Sequence, residues 1–262
     1  MALIEKLTAI ADAIRSKTGK TDGLTLDQMP GEIESIETGG GSGGELDAVL
    51  EKTVTAVKSN ATSIGDSAFK DCKNLVSAEF PKVNTIGGSA FYGCKSMTTF
   101  IAPNVTTIDG SAFQNCNILT AIDFPLVTSI GNTAFYLCYK IGNHVCLPLL
   151  TTIGQRVFQG CQEMPSVDLP KVTSIDIYGF YENRALKAVI LRSETVCTLK
   201  NTSGFGNCWL IERGTGFFYV PKALVEEYQA ATNWSTWATQ FRALEDYTVD
   251  GTITGELDPN KI

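Results

Sequence analysis

The stretch Ile64-Gly65-Asp66-Ser67-Ala68-Phe69-Lys70-Asp71-Cys72-Lys73-Asn74-Leu75 opens a pattern that returns five more times along the chain. The later copies begin IGGSAFYGC at Ile86, IDGSAFQNC at Ile108, IGNTAFYLC at Ile130, IGQRVFQGC at Ile153 and IDIYGFYEN at Ile175. Their phenylalanines, Phe69, Phe91, Phe113, Phe135, Phe158 and Phe180, lie 22, 22, 22, 23 and 22 residues apart. A fixed period of this length marks stacked units, each too small to bury its own apolar face. The apolar markers of the first copy are Ile64, Ala68, Phe69, Cys72, Leu75, Ala78, Phe80 and Val83. The second copy sets Ile86, Ala90, Phe91, Cys94, Met97, Phe100, Ala102 and Val105 at the same offsets. Such a set suits one turn of a coil whose neighbours cover it above and below. This architecture sets aside most enzyme folds and makes binding or structure the default role.

The second half of each unit reads as a short strand. Ala78-Glu79-Phe80, Ile122-Asp123-Phe124, Val167-Asp168-Leu169 and Val189-Ile190-Leu191 alternate inward and outward. Pro81, Pro125, Pro148 and Pro170 end four of these segments, and Pro103 holds the same offset in the second copy. Proline removes a ladder donor and belongs at a strand boundary. Successive strands then stack in parallel about 4.8 Å apart. The AF..C segment, with Gly, Ser and Asn neighbours, suits a tight turn or one helical turn. The step of 23 comes from one inserted residue near Gly142-Asn143-His144. A degenerate seventh unit follows, with Phe205-Gly206-Asn207-Cys208 and then Phe218-Tyr219-Val220-Pro221. It carries extra residues and is expected to bulge. A half-turn is expected before Ile64, within Val54 to Thr62.

The pattern I-G-x-x-A-F-x-x-C-x-x-L, followed by a V-x-L-P strand, resembles the BspA-like class of leucine-rich repeats over Ser63 to Arg192. The resemblance implies an α+β leucine-rich-repeat solenoid with parallel strands. Residues 46–221 are read as that solenoid, 222–247 as a C-terminal helical cap and 248–262 as a polar tail. In the cap, Leu224, Val225, Tyr228, Trp234, Trp237, Phe241 and Leu244 supply an apolar helical face, with a division at Thr232-Asn233. Open solenoid ends expose core and need such a cover. The run from Tyr219 to Glu245 is also similar to the end segment of BspA-like proteins. Trp234 and Trp237 are read as cap residues, with sugar platforms as the alternative.

Residues 1–37 read as a separate helical module for attachment or oligomerisation. Leu3, Leu7, Ile10, Ala11 and Ile14 form one amphipathic set, and Leu24, Leu26, Met29, Ile33 and Ile36 a second. The segment Ile10 to Ile36 resembles N-terminal segments of tail and baseplate-associated proteins of phages and prophages of Gram-positive bacteria. That resemblance implies a virion part made in the host cytoplasm, homo-oligomeric, and joined to other tail proteins through residues 1–37. Residues 38–45 are a Gly-rich linker. The opening of the chain lacks the uninterrupted apolar core of a secretory signal. This departs from cell-surface BspA-like proteins, which nevertheless remain the alternative setting.

A formal net charge of −7 offers no basic stripe for nucleic acid and no attraction to anionic membranes. No apolar run approaches the ~20 residues that span a bilayer. Cys72, Cys94, Cys116, Cys138 and Cys161 share one repeat offset, which Asn183 fills in the sixth copy. Stacked equivalents have parallel Cβ vectors, whereas a disulfide needs converging ones about 3.5–4.5 Å apart. The ladder is therefore read as buried thiols packing like small apolar groups, without metal and without disulfides. The states of Cys197 and Cys208 are left open.

His144 is the one histidine. With Cys146 it forms the only Cys–His combination on an outward strand face, and no third group is placed to orient the imidazole. No catalytic residue and no cofactor are assigned. Outward positions form rows: Glu79, Ile101, Asp123, Cys146, Asp168 and Ile190 in one, and Ser77, Thr99, Ala121, His144, Ser166 and Ala188 in the other. Alternate carboxylates would stand about 10 Å apart, too far for paired glycosidase chemistry. A third row follows the Phe marker: Lys70, Tyr92, Gln114, Tyr136, Gln159 and Tyr181, with Tyr139 nearby. Its tyrosines either cover the core edge or bind. The candidate binding residues are Glu79, Asp123, His144, Cys146, Asp168, Tyr92, Tyr136, Tyr139 and Tyr181. The function expected is non-enzymatic recognition of a host-surface glycan or protein by a phage-tail appendage. A bacterial surface adhesin, or a virion part without ligand, is the alternative.

Overall fold

The computed structural model describes residues 33–38, 54–249 and 252–253. The rings of Phe69, Phe91, Phe113, Phe135, Phe158, Phe180 and Phe205 form one column. Successive centroids lie 5.1, 5.3, 5.2, 5.4, 5.5 and 5.2 Å apart, with planes within 14° of parallel. The column passes through the 23-residue step from Phe135 to Phe158 without a break. The Ile, Leu and Val markers of the repeat line it on all sides, and nearly all are fully buried. Ala68 and Phe69 of the first rung are partly buried. The side chains share one continuous core, as the period requires.

Two stacks of strands flank this core. In the first, β2 (Val54–Ser59), β4 (Ser77–Glu79) and β6 (Thr99–Ile101) pair in parallel. Farther on, β9 (Val145–Cys146), β11 (Ser166–Leu169), β13 (Ala188–Leu191), β15 (Phe217–Val220) and β16 (Phe241–Ala243) do the same. The second stack consists of two-residue strands ending at the repeat isoleucine, or at Leu199 in the last. It contains β3 (Ser63–Ile64), β5 (Thr85–Ile86), β7 (Thr107–Ile108) and β8 (Ser129–Ile130), then β10 (Thr152–Ile153), β12 (Ser174–Ile175) and β14 (Thr198–Leu199).

Both ladders break where the repeat takes 23 residues. Ile122-Asp123-Phe124, read from the sequence as a strand, does not pair as one. Its Ile122 peptide bonds instead to a side chain: Ile122 N donates to Asn143 Oδ1 at 3.3 Å, and Asn143 Nδ2 donates to Ile122 O at 2.9 Å. The inserted residue shifts the next backbone out of register, and the Asn143 amide stands in for the missing peptide group. In the second stack, Gln155 N donates to Asn132 Oδ1 at 2.9 Å across the same step.

The AF..C segment is a succession of turns. Each of the first six rungs holds two left-handed residues, as at Ser89 (φ 55°) and Gly93 (φ 73°), or Thr133 (φ 59°) and Leu137 (φ 61°). Left-handed backbone costs a non-glycine residue about 1 kcal/mol or more. Bonds between rungs offset this: Ser67 N donates to Gly88 O at 2.9 Å and Asp71 N to Tyr92 O at 2.7 Å. At Gly93 a Cβ would also lie 2.5 Å from Asp71 Oδ1.

All eight cysteines are free thiols. The ladder members are more than small apolar groups. Cys94, Cys116, Cys138 and Cys161 each point Sγ at the carbonyl of the Phe one rung back, at 3.1, 3.1, 3.1 and 3.4 Å. Cys208 continues the series on Phe180 O at 3.0 Å. Asn183 fits the same slot because it too carries a donor: Nδ2 reaches Phe158 O and Phe180 O, both at 2.9 Å.

The seventh rung bulges as expected, through α1 (Trp209–Glu212). The cap is less helical than its sequence reads. It has α2 (Val225–Ala230), 3-10 segments at Lys222–Leu224, Trp234–Gln240 and Leu244–Tyr247, and a strand, β16, that continues the first stack. Phe241, assigned to a helical face, lies in that strand, because the free edge of β15 offers it backbone partners. The division at Thr232-Asn233 is real: Asn233 is left-handed, φ 66°. Tyr228 and Trp234 grip the backbone of one residue of the last rung, Cys197. Cys197 N donates to Tyr228 Oη at 2.8 Å, and Trp234 Nε1 donates to Cys197 O at 2.6 Å.

At the other end, β1 (Ile33–Thr38) pairs antiparallel with β2. Ile33 and Ile36, read as members of a helical set, therefore lie in a strand, with the open edge of β2 supplying the partner. The rest of the proposed 1–37 module and the linker after Thr38 lie outside the described residues. In the 248–262 segment, β17 (Thr248–Val249) and β18 (Thr252–Ile253) form an antiparallel pair.

Candidate functional site

The outward face of the first stack carries the rows anticipated from the repeat. Glu79 pairs with Ile101, and Cys146 with Asp168 and then Ile190. Ser77 pairs with Thr99, and Ser166 with Ala188. What the period does not reveal is that this face changes character along its length.

At its C-terminal end the face is roofed. Ala188, Ile190, Phe217, Tyr219 and Leu244 form a second apolar cluster, with Tyr247 packed against it. The rings of Tyr219 and Tyr247 meet edge-on at 5.1 Å. The Arg242 guanidinium lies 4.1 Å from the Phe217 ring centre. At the margin of this roof Asp168 is only 6% exposed. Its carboxylate takes three bonds from Arg192, at 3.0, 3.1 and 2.8 Å. That bonding raises the Arg192 pKa above its ordinary value. Asp168 thus holds the sheet margin.

Before the roof, the face is bare among the described residues. Thr99, Ile101, Ala121, Asp123, His144 and Cys146 are exposed on three successive rungs, Ile101 by 50%. Glu79, on the rung before, is half-buried and ion-paired to Lys58 at 3.3 Å. His144 Nδ1 lies 2.7 Å from Ser166 Oγ. The Cys146 thiol is pushed up, first by partial burial and then by the Asp168 charge. That is the reverse of the lowered pKa of an activated nucleophile. Among the described residues no group of three His, Cys, Asp or Glu is placed to hold a metal ion. No helix among them is long and apolar enough to cross a membrane.

Of the sequence candidates, the strip brings together Asp123, His144 and Cys146. Ile101 belongs with them. It stands in the same row, an apolar side chain between the rungs of Glu79 and Asp123 that, unlike Ile190 in the same row, nothing among the described residues covers. The tyrosines lie elsewhere, along the turn side. Tyr92, Tyr136, Tyr139 and Tyr181 are all half-buried. Lys70 Nζ sits 5.3 Å from the Tyr92 ring centre. Tyr181 stacks edge-on with Tyr178 at 5.2 Å and accepts a bond from Asn207 Nδ2 at 2.7 Å. Trp234 and Trp237 are 1% and 5% exposed and pack on Phe205 and Phe218, which is a cap role.

A family profile described as BspA type leucine rich repeat region, in 6 copies, matches residues 51–162 and 128–215. The chain belongs to this family. Among solved structures it is similar to a leucine rich repeat protein of T. pallidum, at 22% identity and TM-score 0.48, over 64% of this chain and 75% of that one. A leucine-rich repeat protein from Bacteroides ovatus matches at 18% identity and TM-score 0.40, over 72% of this chain and 54% of that one. A leucine rich cell surface protein from Faecalibacterium prausnitzii matches at 17% identity and TM-score 0.23, over 68% of this chain and 80% of that one. Comparison with curated proteins returns no match. This BspA-type repeat protein matches the family profile from the rung before Ile64 through the inserted residue and into the seventh rung.

Proposed function

We propose that this BspA-type protein is a non-enzymatic recognition protein that holds a surface glycan or a protein segment along the bare strip from Thr99 to Cys146. One observation carries the reading: among the described residues, the same sheet face is closed by its own chain over β11 to β16 and left open over the rungs before. Three rungs span roughly 10 Å between first and last strand, enough for a short length of extended ligand. Ile101 supplies an apolar anchor, and Asp123 and His144 supply polar specificity at its edge. The test is binding to a printed glycan array and to intact bacterial cells. Ile101→Glu and Asp123→Lys should each abolish retention while leaving the unfolding curve unchanged. Retention equal to wild type in both variants would refute the strip.

The setting we propose is a phage or prophage tail appendage, supported by the resemblance of Ile10 to Ile36 to tail and baseplate-associated segments. Residues 1–37 then join the other tail proteins and drive homo-oligomerisation. A bacterial surface adhesin of the BspA type uses the same strip in another place. Immunogold labelling decides between them: tail tips of induced particles for the first, the cell surface for the second.

A further inference from the structure

We propose a second binding site, for a neutral sugar residue, in an open pocket of about 470 Å³ between the last rungs and the cap. The pocket lies where the repeat changes one residue. The offset after each column Phe carries Lys70, Tyr92, Gln114, Tyr136, Gln159 and Tyr181, and then, in the seventh rung, Gly206. With no side chain at Gly206, the Tyr181 ring lies directly against it and forms one wall of the pocket. Tyr181, Ser203, Glu212, Thr236 and Trp237 line it, drawn from the sixth rung, the seventh rung, α1 and the cap.

The walls are held in place before any ligand arrives. Asn207, left-handed at φ 56°, serves two of them at once. Its backbone N donates to Glu212 Oε1 at 2.6 Å, and its Nδ2 donates to Tyr181 Oη at 2.7 Å. The Tyr181 ring is fixed against Gly206, where even a Cβ would come within 3.0 Å of Cε2. Gln240 at the margin ties the cap to α1 through Nε2 to Ile211 O at 3.1 Å.

The chemistry of the lining names the class of ligand. It offers an aromatic ring, the hydroxyls of Thr202, Ser203 and Thr236, and one carboxylate, with no Lys or Arg among the lining residues. Hydroxyls and a carboxylate accept hydrogen bonds from a polyol, and a ring face covers the apolar C–H side of a pyranose. An anionic sugar would meet Glu212 without a counter-charge. Pockets of this size take small ligands. The site is separate from the bare strip and does not depend on it.

The test uses the full chain and a panel of methyl hexosides and N-acetylhexosamines, with glucuronic acid as the anionic control. Saturation-transfer NMR should show transfer to at least one neutral glycoside and none to glucuronic acid, with a shift of the Trp237 indole resonance. Gly206→Gln restores the side chain that rungs three and five carry and should abolish binding. Glu212→Gln keeps an acceptor for Asn207 N and should weaken binding about tenfold, the loss of one charge-assisted bond. Ile101→Glu, on the strip, should leave saccharide binding unchanged. No transfer to any neutral glycoside, preferred binding of glucuronic acid, or binding that survives both Glu212→Gln and a correctly folded Gly206→Gln would overturn the proposal.

Discussion

Replacing Cys116 separates two views of the thiol ladder: apolar filler, or hydrogen-bond donor. Cys116 is fully buried, and its Sγ lies 3.1 Å from Phe91 O. That carbonyl also accepts Cys94 N at 3.2 Å, so it keeps one partner when the thiol goes. Cys116→Ala therefore loses a weak bond of about 0.5–1 kcal/mol and leaves a sulfur-sized void of about 1 kcal/mol. The expected loss is about 2 kcal/mol. Cys116→Ser keeps a donor for Phe91 O and should cost about 1 kcal/mol. If the slot is only apolar, a buried hydroxyl is penalised and the serine variant falls below the alanine variant.

Asn183 gives the converse test. Its Nδ2 is bonded twice, while its Oδ1 is buried with no partner among the described residues. Asn183→Cys removes an orphan acceptor costing about 2 kcal/mol and one amide bond worth about 1, for a net gain of about 1 kcal/mol. Equilibrium unfolding in urea, followed by circular dichroism at constant m, measures all three variants. A Cys116→Ser protein less stable than the Cys116→Ala protein, or destabilisation by Asn183→Cys, would refute the donor reading.

Phe113→Ala, in the middle of the ring column with neighbours 5.3 and 5.2 Å away, should cost about 3–5 kcal/mol; a loss under about 1 kcal/mol in the same assay would contradict an inward-facing column. Asn143→Ala strips both bonds from the part-buried backbone of Ile122 and should cost about 2 kcal/mol, with faster amide exchange between Thr120 and Cys146 as its local signature. Burial pushes the thiols of Cys116, Cys138, Cys161, Cys197 and Cys208 up, Cys197 to about 12. Unfolded thiols ionise near pH ~8.5, so above that pH the unfolded chain binds fewer protons than the folded one. Their contribution is present in full below that range and is lost as pH rises toward the folded values, by up to about 1.4 kcal/mol per pH unit per thiol. Urea midpoints from pH 7 to 10.5 should therefore fall steeply above about pH 9; a flat profile would contradict buried, protonated thiols.

The column and the parallel register were legible because identical side chains recur at a fixed step, and each rung's environment is its neighbour. The departures were not, since each depends on contacts the period does not encode. The Asn143 bridge needs an amide side chain to meet a peptide 21 residues back. The roof needs Leu244 and Tyr247 to return over Tyr219, and the Asp168–Arg192 pair spans 24 residues. Asp168 read as a surface carboxylate because its offset is outward, and outward is exposed only where nothing folds back. The thiols looked apolar because a weak S–H donor leaves no mark in composition. The substitution of Asn183 was the one hint of a donor. In the cap, helical spacing from Leu224 to Tyr228 was followed, whereas the open edge of β15 drew Phe241 into a strand. The open and closed parts of the sheet face share one sequence pattern, and only the return of the chain distinguishes them.

Cys146 provides the direct test of the strip, because it is the one exposed thiol and lies within it. Its rate of alkylation by iodoacetamide can be followed by mass spectrometry, with and without a bacterial cell or glycan surface that retains the protein. Recognition along Thr99 to Cys146 predicts that saturating retention slows Cys146 labelling severalfold, and that Ile101→Glu removes both retention and protection. Full retention with an unchanged labelling rate would place recognition elsewhere on the molecule.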